Sequence, residues 1–93
     1  MARPIGISHL PKVDTVESAM GAVVVHHRIR NGFSQAALAD ELGCDVSYIS
    51  QLERGLINPG LRRIFDLAFA LGMKAERLVR EVNDKFQKSK STR

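Results

Sequence analysis

Few side chains in this sequence can make or break bonds. Three histidines (His9, His26 and His27) and a single cysteine, Cys44, are the residues that most readily serve as bases, nucleophiles or soft metal ligands. His26 and His27 are adjacent, so on a helix they point about 100° apart and cannot hold one metal ion from one face. One cysteine excludes an intrachain disulfide framework and a multi-cysteine zinc site. No paired carboxylates, nucleophile elbow or phosphate-cradling glycine run occurs. Neither an enzyme nor a metal or cofactor site is expected. What remains is hydrogen-bonding chemistry: Ser47, Ser50, Gln51 and Arg54, with Val46 beside them, lie in one short run whose apolar members, Ile49 and Leu52, fall on the other side.

Such side chains need rigid supports. Residues 1–13, with Pro4, Gly6 and Pro11, read as an extended arm. Asp14 is the expected cap of a first helix, with Glu17 at capping-box spacing, running to about Asn31. Val16, Met20, Val23, Val24 and His27 recur on one side of it, and Gly32 ends it. Ser34 caps a second helix that places Ala37, Leu38 and Leu42 on one face and closes at Gly43. Asp45 caps a third, Val46 to Arg54, stopped by Gly55. A fourth helix is expected from Leu61 to Leu71, burying Leu61, Ile64, Phe65, Ala68 and Leu71. A fifth is expected from Ala75 to Phe86, with apolar Ala75, Leu78, Val79, Val82 and Phe86. Residues 14–86 thus form one all-α domain of five helices, flanked by the arm 1–13 and a basic tail, 87–93.

The second and third helices carry the strongest signal. Two helices of eight and nine residues joined by about three can cross closely only if a small residue lies at the crossing, and Ala39 supplies it. The sharp turn between them needs a residue tolerant of positive φ, which Gly43 supplies. Leu38, Leu42, Cys44, Ile49 and Leu52 fall where the crease must be filled, so Cys44 is read as packing rather than as a redox group. This is a helix-turn-helix, whose second helix enters the major groove of DNA.

Here the residues resemble a family, the phage-repressor-type helix-turn-helix domains (Cro/CI, or XRE, type). The likeness runs from about Met20 to Val82. It rests on Arg28-Ile-Arg-Asn-Gly-Phe-Ser-Gln-Ala-Ala-Leu-Ala39, Gly43, Ser47-Tyr-Ile-Ser-Gln-Leu-Glu-Arg-Gly55, Asn58-Pro59 and Leu67-Ala-Phe-Ala-Leu-Gly72. The resemblance implies a five-helix, lambda-repressor-like DNA-binding domain. It pairs Arg28 with Glu53; Glu53 follows Leu52 on the inward turn, where an unpaired carboxylate is costly. It makes Val46, Ser47, Ser50, Gln51 and Arg54 base-reading residues. Gln51 suits adenine or a phosphate, Ser47 several bases and Val46 a thymine methyl. It places Arg30, Ser34, Gln35, Asn58, Arg62 and Arg63 on the DNA backbone, Gln35 at a helix N-terminus that favours phosphate. Tyr48 has two readings, phosphate contact or partial core packing. His27 stands where the family is usually aliphatic, which implies a packed histidine. Gly60 replaces the commoner serine cap. Val46 replaces a polar or basic residue, which implies modest direct readout and more dependence on DNA shape.

Charge is unevenly placed along the 93 residues. The formal net charge is +4, but residues 15–83 carry eight basic and eight acidic side chains and residues 84–93 carry Lys85, Lys88, Lys90 and Arg93 against Asp84. The tail is therefore either a solvated end or a DNA-backbone contact. No apolar run approaches a membrane span and no signal-peptide core is present, so a cytoplasmic, nucleoid-associated protein is expected. A single module buries little DNA, so a homodimer on a palindromic operator is expected. Leu56, Ile57, Met73, Val79 and Phe86 are candidates for its interface, with closure of the protomer's own core as the alternative. The expected function is a small, autoregulatory repressor or controller that binds double-stranded DNA without a small-molecule ligand. The competing class is a protein-interaction module, antitoxin-like, built on the same fold.

Overall fold

The computed structural model describes residues 13–91, within which the chain forms α1 (Val16–Arg30), α2 (Gln35–Leu42), α3 (Val46–Glu53), α4 (Leu61–Ala70) and α5 (Ala75–Ser91). The expected arm, apart from Val13, and the last two residues of the tail lie outside the described residues.

Local chemistry sets most boundaries. α1 is capped by Thr15, not by Asp14. The Thr15 hydroxyl accepts from the Ser18 N–H and the Ser18 hydroxyl accepts from the Thr15 N–H, each at 3.0 Å. That reciprocal pair lies one residue later than the expected Asp14–Glu17 box because Ser18 is itself buried at the helix start, while Glu17 accepts from the Asn58 side chain at 2.9 Å. Ser34 caps α2 through the Ala37 N–H at 3.0 Å. Gly43 ends it at φ 68°, ψ 37°, a left-handed conformation that lets the Cys44 N–H close on the Ala39 carbonyl at 2.9 Å. Asp45 caps α3 by accepting from the Ser47 N–H at 3.0 Å, a bond that holds its carboxyl below the usual carboxylate range. α4 begins at Gly60 with no side-chain cap. α5 continues to Ser91, five residues past the expected end at Phe86, because residues 87–91 contain no helix breaker and Lys88 and Lys90 suit a helix C-terminus.

The core is shared by all five helices: Ala19, Met20, Val23 and Val24 from α1, Leu38 and Ala39 from α2, Ile49 and Leu52 from α3, Leu67, Ala68 and Leu71 from α4 and its cap, and Leu78 and Val82 from α5. α1 runs through the middle, against α3 and α5, while α4 lies against α2 and α5. Two expectations for the core are overturned on α4. Leu61 and Phe65 are exposed, and Leu67, which was not expected inside, is fully buried. The inner stripe is Ile64–Leu67–Ala68–Leu71, at i, i+3, i+4 and i+7; Leu61 and Phe65 belong to a second apolar stripe about 60–100° away. Val16 is likewise exposed, since it sits on the first turn of α1 at the open edge of a groove that it shares with Ile64 of α4 and Val79 and Val82 of α5.

Candidate nucleic-acid interface

The α2–α3 pair is held from inside. Ala39, 3% exposed, lies at the crossing, with Leu38, Ile49 and Leu52 wholly buried around it. Beneath the pair, Glu53 is 5% exposed yet fully partnered. It accepts from Arg28 Nε at 2.6 Å and Nη2 at 3.1 Å, and from Gln35 Nε2 at 2.8 Å. Arg28 Nη1 also donates to the Phe33 carbonyl at 2.9 Å. Three charge-assisted hydrogen bonds on one carboxylate offset its desolvation and bind α1, the start of α2 and the end of α3 at one point. The expected Arg28–Glu53 pair is present, and Gln35 is its unexpected third member.

With its inner side fixed, α3 presents the opposite face outward. Val46, Ser47, Gln51 and Arg54 are exposed and Ser50 is half-buried. Ser47, Ser50, Gln51 and Arg54 stand at i, i+3, i+4 and i+7, so they form one stripe of donors and acceptors. Around it, Arg30 and Arg62 are exposed, with no hydrogen bond or ion pair from either side chain to another described residue. The other expected backbone contacts are already engaged within the chain. Ser34 Oγ is occupied by the Ala37 N–H, and Asn58 donates to Glu17. Arg63 donates to the Leu42 carbonyl at 3.0 Å, lies 3.5 Å from Asp66 and covers the Tyr48 ring, 5.3 Å from its centroid. Arg63 and Tyr48 thereby brace α4 against the end of α2 and against α3. Burial pushes the Tyr48 hydroxyl up, with the Arg63 charge opposing.

Four positioning residues, Gly21, Arg77, Glu81 and Asn31, escaped the sequence reading. Gly21 faces the end of α3: a Cβ there would lie 2.4 Å from the Glu53 carbonyl oxygen, so only glycine lets α1 and α3 approach this closely. His27, buried as the resemblance implied, also meets Glu81 across α1 and α5 at 2.5 Å, and Arg77 joins the same carboxylate at 2.9 Å. The Arg77–Glu81 spacing of four residues was the available signal for that cluster. Asn31 donates to the His27 carbonyl at 2.7 Å, closing α1. Of the five apolar interface candidates, Ile57, Met73 and Phe86 pack partly on the protomer's own core, whereas Leu56 and Val79 are exposed. Among the described residues no group of three or more His, Cys, Asp or Glu could hold a metal ion, and no helix is long and apolar enough to cross a membrane.

A family model described as helix-turn-helix matches residues 27–78, the span that holds the ion-pair network, the crossing and the outward stripe. The chain belongs to the helix-turn-helix family of transcription regulators, of the XRE type. It is 32% identical over 72 residues to a hypothetical transcription factor of Neisseria meningitidis serogroup B, covering 77% of this chain and 68% of that protein. Its fold matches the clp gene regulator ClgR from Corynebacterium glutamicum with a TM-score of 0.80 at 21% identity, over 87% of this chain and 86% of that one. It also matches the restriction-modification controller protein C.Esp1396I, solved as a tetramer in complex with its natural 35 base-pair operator, with a TM-score of 0.69 at 21% identity, over 77% of this chain and 95% of that one.

Proposed function

We propose that this helix-turn-helix protein binds a palindromic double-stranded DNA operator as a dimer, regulates its own expression from there, and works in the cytoplasm on the nucleoid. The observation that carries this reading is the outward stripe Ser47–Ser50–Gln51–Arg54 on a helix whose inner side is fixed by Ile49, Leu52 and the Glu53 cluster. In the major groove Gln51 pairs with adenine or a phosphate, Ser47 takes one of several bases, Arg54 suits guanine, and Val46 packs on a thymine methyl. Backbone contacts come from Arg30 and Arg62 and from the free N–H groups at the start of α2, where the helix dipole favours phosphate. Gln35, Tyr48 and Arg63 act in this reading chiefly by holding α2, α3 and α4 in register. The protein measures 38 × 29 × 22 Å, so two copies in contact can set their α3 helices about 34 Å apart, one turn of DNA.

Selection from random DNA at stated salt tests the proposal. A two-fold symmetric sequence should emerge that matches a site upstream of the protein's own gene, and Ser47→Ala with Gln51→Ala should abolish its preference. A folded protein that retains no DNA at low salt would overturn the DNA-binding reading and favour the protein-interaction class, for which exposed Val46 is the best support.

A further inference from the structure

α4 carries more apolar surface than its own protomer covers. Leu61, Phe65 and Phe69 are 72%, 57% and 88% exposed. Spaced four residues apart, they form one slowly turning stripe that faces away from Arg63 and Ala70 and is edged by Arg62 and Asp66. Leu61 lies about 60° around the helix from Ile64. Ile64 itself lines an apolar groove with Val16, Met20, Pro59, Val79 and Val82, so the stripe adjoins that groove and Val79, 49% exposed.

We propose that this stripe, together with Val79, is the surface on which a second copy of this chain docks. The inference rests on the dimeric reading above and names its interface. Covering an aromatic side chain removes ~150–250 Å² from water. On that scale the two phenylalanines, Leu61 and Val79 present on the order of 500 Å² per protomer and about 1,000 Å² across a pair, the size at which specific interfaces begin. A two-fold axis presents one patch to itself, so the stripe needs no complementary patch elsewhere on the molecule. α4 is also suited to transmit that axis to the reading helix, since Arg63 ties it to the Leu42 carbonyl and to Tyr48 of α3. Leu56, the other exposed apolar residue of the region, sits in the loop before α4 and belongs to neither stripe nor groove.

Sedimentation equilibrium of the full chain, with circular dichroism alongside, tests this. The wild type should be dimeric, and Phe65→Glu with Phe69→Glu should weaken dimerisation by about a hundredfold, as expected when central apolar anchors become charges. Helix content should not change, and Leu56→Glu should remain dimeric. A double variant as dimeric as the wild type overturns the assignment of the stripe while the dimer stands. A wild type that stays monomeric overturns both. Should the double variant lose helix content, Phe69→Ser decides, because that side chain touches little of its own protomer: a folded Phe69→Ser dimer of wild-type strength overturns the proposal.

Discussion

Glu53 shows how one buried carboxylate can organise a reading head. It is almost wholly shielded, and its partners come from two other parts of the chain. Arg28→Ala removes the charge and leaves Gln35 as the remaining donor, so it should destabilise the protein by about 3–5 kcal/mol in urea unfolding, while the selected DNA sequence stays the same. Equal stability with altered base preference would contradict this role. Arg28 and Glu53 were legible in the sequence because a carboxylate beside Leu52 on the inward turn demands a partner, and the family resemblance supplied one. Gln35 was not, since an amide at a helix start serves a phosphate or an inner carboxylate equally well. Gly21 was illegible for another reason: its use depends on a backbone 32 residues away in sequence. Gly21→Ala should force α1 from α3 and cost about 1–3 kcal/mol, measured by the same unfolding transition. His27 and Glu81 add a pH dependence. The His27 hydrogen bond, aided by Arg77 and opposed by desolvation, holds the Glu81 carboxyl below its ordinary value of 4.5. A carboxyl depressed in the folded state stabilises it above the unfolded value, and that contribution is lost as pH falls through the folded one. The wild type should therefore lose stability below about pH 4.5 more steeply than Glu81→Gln. Parallel acid-denaturation curves for the two would remove Glu81 from the account.

Among the helices, α4 separates what pattern reveals from what it hides. Its existence and limits follow from periodicity and from the glycines around it, but seven of its ten residues are apolar and make two stripes rather than one. Periodicity then says that a helix is present without saying which stripe faces inward. The structure turns Leu67 in and Leu61, Phe65 and Phe69 out, because Arg63 must reach the α2 carboxyl end and Tyr48. The length of α5 was hidden similarly: Gln87–Ser91 is too polar to show an apolar face, yet nothing in it opposes helix. The caps of α2 and α3 were readable because Ser34, Gly43 and Asp45 act on neighbouring backbone groups. Gly60 gives a prediction at this scale. It occupies the α4 N-cap with ordinary φ −70° and ψ 171°, and a Cβ there meets nothing within 4 Å. Gly60→Ser should supply the missing acceptor and reduce the freedom of the unfolded chain, stabilising the protein by about 0.5–1 kcal/mol. An unchanged or lowered melting temperature would show that the bare α4 terminus is already satisfied.

For the molecule as a whole, affinity for DNA must arise from arrangement rather than from bulk charge. Residues 15–83 are charge-balanced, so in the function proposed above attraction depends on Arg30, Arg54 and Arg62 converging on the DNA face, with acids such as Asp40, Glu41 and Glu76, all exposed, turned away from it. The excess positive charge falls on the last ten residues, and the structure changes what that implies. Lys88 and Lys90 are not on a loose tail but on the final turns of α5, Lys90 lying over the Phe86 ring at 5.2 Å. Their position relative to the DNA is thus fixed by the same helix that packs Leu78 and Val82 into the core. Deleting residues 87–93 would remove charge and helix together, so Lys88→Gln with Lys90→Gln is the cleaner probe. Each phosphate neutralised contributes about −0.9 to the slope of log K against log salt. If both lysines of a protomer reach the backbone, the variant's slope should be shallower by about two per protomer. Affinity at low salt should fall by a similar factor on the operator and on unrelated DNA, because phosphate contacts carry no sequence information. The sequence recovered by selection should not change. An unaltered slope would place the end of α5 away from the duplex, and an altered base preference would mean that it reaches a groove.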